Sequence, residues 1–217
     1  MALIDLNGIS FAYPNGNLVL KGLSLRLEEG DKIGLLGENG AGKTTLLHII
    51  LGLLKPAKGE ITVFGKRCET EQDFKKIRGA IGLLFQDSDD QLFCPTVLED
   101  VAFGPLNMGM KRHEATDRAE RTLDKLGIFH LRSRVPYQLS GGEKRLVSMA
   151  TILSMRPKIL LLDEPTTGLD EKTGKRLISV LQNYPVRAWI MISQIQSTIE
   201  AMSNKYCQMN GGRIDLV

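Results

Sequence analysis

Apolar residues along the chain fall into short runs divided by turn-forming positions. Residues 3–6 are mostly apolar, 14–17 read Pro-Asn-Gly-Asn, and 23–27 alternate apolar with polar. This pattern predicts short strands joined by turns. A second turn at 29–31 precedes an apolar strand over 32–36, and the run 44–54 is helical in character and closed by Lys55 and Pro56. Residues 59–64 alternate again and end at Gly65; a charged helical segment around 72–77 then leads into a buried strand at 80–85. From about 88 to 155 the periodicity turns helical with charged faces, most clearly at 114–126. Uninterrupted apolar runs return at 159–162 and 189–192, with a helix around 172–182 between them. Such runs suit central strands of a parallel sheet covered on both faces. The pattern predicts one α/β domain over residues 1–217, without repeats or linkers, and with a helical insertion in its middle.

Composition adds exclusions. With 217 residues, 42% hydrophobic and 24% charged, the chain can bury a core without disulfides or a structural metal. A net charge of +3 with no long basic run gives no basis for nucleic-acid binding, so no nucleic-acid partner is expected. Cys68, Cys94 and Cys207, and likewise His48, His113 and His130, match no metal or redox spacing, which points to a reducing compartment. Residues 1–8 lack the basic start and apolar core of a secretion signal. The greasiest stretch, 46–54, is broken by His48 and Gly52 and is far short of the roughly 20 residues a membrane span needs. Any membrane role therefore calls for a partner.

Residues 37–44 read GENGAGKT, which fits the phosphate-loop pattern G-x-x-x-x-G-K-S/T between an expected strand and an expected helix. A chance match in a chain of this length is about a 1% event on average residue abundances. The glycines let backbone N–H groups turn toward phosphate oxygens, and the positive end of the following helix adds to the anion site. Lys43 is placed to reach the β- and γ-phosphates of a nucleotide, and the Thr44 hydroxyl to hold magnesium.

Residues 159–165, ILLLDEP, put two acids at the end of an apolar strand, where α/β sheets bind ligands. An isolated Asp-Glu would be an ordinary acidic turn. Following a phosphate loop, Asp163 is placed to support magnesium and Glu164 to polarise an attacking water. Residues 139–143, LSGGE, open another helix, with Ser140 and Glu143 at capping-box spacing. A cap needs no paired glycines, whereas an approaching ligand does.

Taken in order, Tyr13, the phosphate loop at 37–44, Gln86, LSGGE at 139–143, ILLLDEP at 159–165 and Gly168 to Asp170 resemble the ATPase subunits of ABC transporters over essentially the whole chain. The resemblance implies a P-loop NTPase core with a mainly parallel sheet, an N-terminal antiparallel β subdomain and an α-helical subdomain inserted at about 88–155. It implies ATP and Mg2+ as ligands. Nucleotide contacts would come from Tyr13, stacked on adenine, and from Gly37, Glu38, Asn39, Gly40, Ala41, Gly42, Lys43, Thr44 and Thr45. Thr44, Gln86 and Asp163 would serve the metal. Ser140, Gly141 and Gly142 would meet the γ-phosphate bound by an opposite subunit, with Asp170 coupling the two sites. A second ATPase subunit, in a homodimer or heterodimer, and integral membrane transport subunits are the implied partners. The implied location is peripheral, on the cytoplasmic side of the cell membrane.

Residues 85–93 and 95–107 look like the energy-coupling-factor group, which drives uptake of vitamins or of cobalt and nickel. One departure stands out. After the strand at 189–192 the family carries a histidine that contacts the γ-phosphate, and this chain has Gln194 there, followed by Ile195 in place of an acid. Gln can donate a hydrogen bond but cannot carry a proton. Glu164 and Gln194 are thus the expected catalytic pair, with hydrolysis slowed. The alternatives are a soluble ABC ATPase and a hydrolysis-impaired, nucleotide-gated subunit of a heterodimer.

Overall fold

Alternation in the N-terminal third builds one sheet, and the unbroken apolar runs build another. A computed structural model describes residues 2–216. The first sheet is antiparallel, in the order β2 (Leu18–Leu27), β1 (Ile4–Ala12), β4 (Lys58–Val63), β5 (Lys66–Arg67). The second has six strands in the order β10 (Arg213–Leu216), β9 (Lys205–Asn210), β3 (Lys32–Gly37), β8 (Ala188–Ile192), β7 (Ile159–Asp163), β6 (Ile81–Leu84). Its strands pair in parallel except at β10, which returns antiparallel on β9.

Helix α1 (Lys43–Ile50) follows β3, α2 (Glu71–Arg78) precedes β6, and α3 (Val97–Asn107), α4 (Arg112–Leu126) and α5 (Gly141–Ser154) lie between β6 and β7. Helices α6 (Glu171–Gln182) and α7 (Gln196–Met202) flank β8 in sequence. Side chains alternate across β7: Ile159 and Leu161 join the core under the antiparallel sheet, while Leu160 and Leu162 join the core under α3–α7. Strand β8 splits the same way, Ile190 against Trp189 and Met191. Burial on both faces is what makes these runs continuously apolar.

One expectation shifts, and one element lies outside the expectations. The helix read as 44–54 ends at Ile50, capped by Leu51, because Gly52 turns with φ +66° and lies against the Phe74 ring, leaving no room for a Cβ. The apolar residues 51–54 thus form a turn. The β9–β10 hairpin carried no expectation; it is half-buried, with Cys207 and Met209 inward and polar residues between them.

Leu161 is fully buried in β7, a strand paired on both sides, so Leu161→Ala should lower the unfolding free energy by about 2–5 kcal/mol in a urea titration. Leu18→Ala, at a half-exposed edge position, should stay within about 0.5 kcal/mol.

Candidate functional site

Strands β3, β8 and β7 run parallel and in register, so Leu35, Ile192 and Asp163 lie in one row. The segments that leave these strands therefore open at the same edge. From β3 comes the phosphate loop. Gly37 takes φ +146°, and a Cβ there would lie 2.5 Å from the Met209 carbonyl of β9. Gly42, at φ +101°, is wedged against Val19 and Leu20 and starts α1 with no side-chain cap and no acid in the first turn. The first N–H groups of α1 are thus unspent by the chain itself and suited to an anion. Lys43 Nζ folds over the loop, donating to the carbonyls of Gly37 (2.7 Å) and Glu38 (2.8 Å).

Beside the loop, Thr44 Oγ1 donates to Asp163 Oδ2 at 2.6 Å. Burial pushes the Asp163 carboxyl above its ordinary pKa; the Thr44 hydrogen bond and the charges of Arg145, His48 and Lys43 oppose that rise. A hydroxyl and a carboxylate in contact offer hard oxygen ligands of the kind Mg2+ takes. Among the described residues there is no cluster of three or more His, Cys, Asp or Glu that could hold a metal ion.

Glu164 is buried and sits at φ +52°, a conformation that costs an ordinary residue about 1–2 kcal/mol. Its N–H donates to Ile192 (2.9 Å), and its carboxylate accepts from Thr167 Oγ1 (3.1 Å) and the Gln194 N–H (3.2 Å). Gln194 Nε2 reaches Asn39 Oδ1 at 3.2 Å, which joins the end of β8 to the phosphate loop. Tyr13 closes the other side, its hydroxyl 3.1 Å from Thr45 Oγ1 and its ring edge-on to Phe11.

These groups line one cleft of about 370 Å3, together with Asn39, Gly40, Gly42, Lys43 and an exposed Gln86. That volume lies within the usual range of small-ligand sites. Gly37, Glu38 and Ala41 shape the loop behind the cleft and do not line it. Ser140, Gly141 and Gly142 are outside it too. Ser140 and Glu143 close a capping box at the start of α5, Gly141 is open, and a Cβ on Gly142 would lie 3.1 Å from the Gly168 carbonyl. One of the two glycines thus has a packing reason. Asp170 caps α6 by accepting from the Thr173 N–H (3.1 Å) and hydroxyl (2.6 Å).

Sequence reasoning missed Asn17 of the β1–β2 turn and Val19 at the start of β2, which wall the cleft, and Thr167, which holds Glu164. It also missed Arg145, whose buried guanidinium donates to the main-chain carbonyls of Gln86 and Asp163. Proximity of the turn to Tyr13 pointed to the first two. Nothing local pointed to the others.

A sheet edge carrying a phosphate loop, a Thr–Asp pair and a second carboxylate defines a nucleotide-binding cassette. The family model described as "ABC transporter" matches residues 20–167. An energy-coupling factor transporter ATP-binding protein EcfA of Methanothermobacter thermautotrophicus is 46% identical over 180 residues, covering 82% of this chain and 58% of its own length. Among solved structures, cbiO1 of Clostridium perfringens, part of the ABC transporter complex cbiONQ, superimposes with a TM-score of 0.84 at 33% identity, covering 99% of this chain and 87% of that one. The ATP-binding cassette MJ0796, solved as a dimer in a post-hydrolysis state with ADP and Pi, gives 0.89 at 26% identity, covering 98% and 96%. The chain belongs to the ABC transporter family, as an ATP-binding ATPase subunit related to the energy-coupling-factor and cbiO proteins.

Gly37→Ala should destabilise the fold by about 2 kcal/mol or more, since it adds left-handed strain and a clash with backbone. A thermal melt checks this, with a drop of several degrees expected.

Proposed function

We propose that this subunit hydrolyses Mg-ATP at the cleft described above and powers uptake of a vitamin or a transition-metal ion through integral membrane partners. The carrying observation is the 2.6 Å Thr44–Asp163 contact set between Lys43 and Glu164 at one sheet edge. Lys43 and the α1 N-terminus bind phosphate, and Tyr13 offers a ring face to the base. Thr44, Gln86 and Asp163 would hold Mg2+, which when bound neutralises phosphate charge. Glu164, fixed by Thr167 and the Gln194 N–H, accepts the proton of the attacking water. Gln194 donates to the γ-phosphate in place of a histidine.

Residues 140–142 open a helix on a surface away from their own chain's cleft, so a second ATPase subunit would bring them to a nucleotide; the dimeric MJ0796 supports this. Membrane partners would dock where Phe93 and Phe103, 66% and 42% exposed, stack edge to face at 4.8 Å above an apolar groove lined by Leu53, Phe85 and Met155. Among the described residues no helix is long and apolar enough to cross a membrane, so attachment would be peripheral, with the cytoplasmic side proposed as its location. The import class rests on the likeness of residues 85–107 to energy-coupling-factor ATPases and on the cbiO1 neighbour.

ATP turnover of the purified chain and of its membrane complex tests the reading. Lys43→Ala should abolish ATP binding. Glu164→Gln should keep binding and lower turnover by roughly 10²-fold or more, the scale of general-base loss; undiminished turnover in both variants would sink the assignment.

Gln194 favours a slow site. Gln194→His should raise turnover several-fold while ATP affinity changes little. Equal rates would show that the glutamine costs nothing, and absence of turnover in every partner context would favour the nucleotide-gated alternative.

A further inference from the structure

Helix α5 carries two features a turn apart: the Ser140–Gly142 opening and, at Arg145, a cation only 3% exposed. Among the described residues Arg145 joins no salt bridge within 4 Å; its partners are main-chain carbonyls. One terminal nitrogen donates to Phe85 O at 2.5 Å and Gln86 O at 3.1 Å, and the other donates to the carbonyls of Asp163 and Glu164. Its Nε has no hydrogen-bond partner among the described residues. One planar fork thus ties the ends of β6 and β7 to α5. Those carbonyls belong to Gln86 and both site carboxylates, or to the residue just before them.

Burying a guanidinium is unfavourable, and a hydrophobic residue of similar volume would fill the space more cheaply. What an apolar side chain cannot do is hold four carbonyls in fixed geometry, and a lysine presents a point charge without the planar fork. The Glu164 carbonyl needs such a hold. Its residue sits at φ +52°, and among the described residues its carbonyl accepts hydrogen bonds from Arg145 and from the Thr167 N–H at 3.2 Å alone.

We propose that Arg145 is a positioning residue for ATP hydrolysis. It fixes the 85–86 and 163–164 backbone, hence where Gln86 and Glu164 present their side chains, and it locks that geometry to the helix that begins at Ser140. The inference rests on the assignment of Glu164 and Gln86 to hydrolysis made above. Its stability half, the clamp itself, does not.

The experiment uses the full chain with Arg145→Lys and Arg145→Gln. Both variants should bind a fluorescent ATP analogue within about threefold of the parent, because Lys43 and Tyr13 are untouched, and kcat should fall at least tenfold, the scale expected when a reacting group is misplaced. Lys should not restore the rate. Hydrogen exchange by mass spectrometry reads the clamp without turnover: protection should drop around 85–87 and 163–167 and hold over 43–50. The proposal is overturned by unchanged protection, by a Lys variant with full kcat, by affinity falling in step with kcat, or by both variants failing to fold. A parent without turnover, in variants that do lose protection, would instead remove the hydrolytic role and leave the clamp.

Discussion

The parallel register of β3, β8 and β7 is the constraint on which the rest of the structure depends. Because Leu35, Ile192 and Asp163 stand in one row, three segments far apart in sequence leave the sheet at one edge. A one-residue slip would reverse every inward side chain of these strands. Their alternate residues are buried in two different cores, so the slip would expose neither face to water but would mismatch both packings. Register here is held by shape and volume as well as by hydrogen bonds.

That edge gathers groups of opposing demand. The phosphate loop needs open N–H groups, which glycine supplies by accepting φ values other residues avoid. The carboxylates need burial to be effective, yet burial alone would drive Asp163 toward protonation. Thr44 and nearby cations oppose this. Glu164 meets its own demand through backbone strain, tolerated because Ile192, Thr167, Gln194 and Arg145 surround it with partners.

Much of this was legible in the sequence, for identifiable reasons. Residues 159–162 and 189–192 announced central strands because both faces are apolar, and residues 37–44 announced a phosphate loop because its chemistry is local. The β9–β10 hairpin stayed silent: only Cys207 and Met209 face inward from β9, and glutamine and asparagine sit among them. The end of α1 was misplaced because the apolar run continues past the helix: Leu51 is buried and Leu53 exposed, and the turn at Gly52 is set by the Phe74 ring of α2, a contact that local pattern does not show. Arg145 was illegible for a deeper reason. Its partners are carbonyl oxygens, which every residue has, so no side-chain pattern could mark them.

The same point bears on how the two ends of α5 relate. Its first turn faces outward with Gly141 open, while its second turn reaches into the strand ends through Arg145. A short rigid helix between them leaves little slack: a shift at Ser140 must either carry residues 85–86 and 163–164 along or break charge-assisted hydrogen bonds worth about 1.5–3 kcal/mol each. On the proposed reading, a nucleotide held by one subunit would press on that first turn in the other. The path from there to Glu164 would then be a single helical turn and one guanidinium.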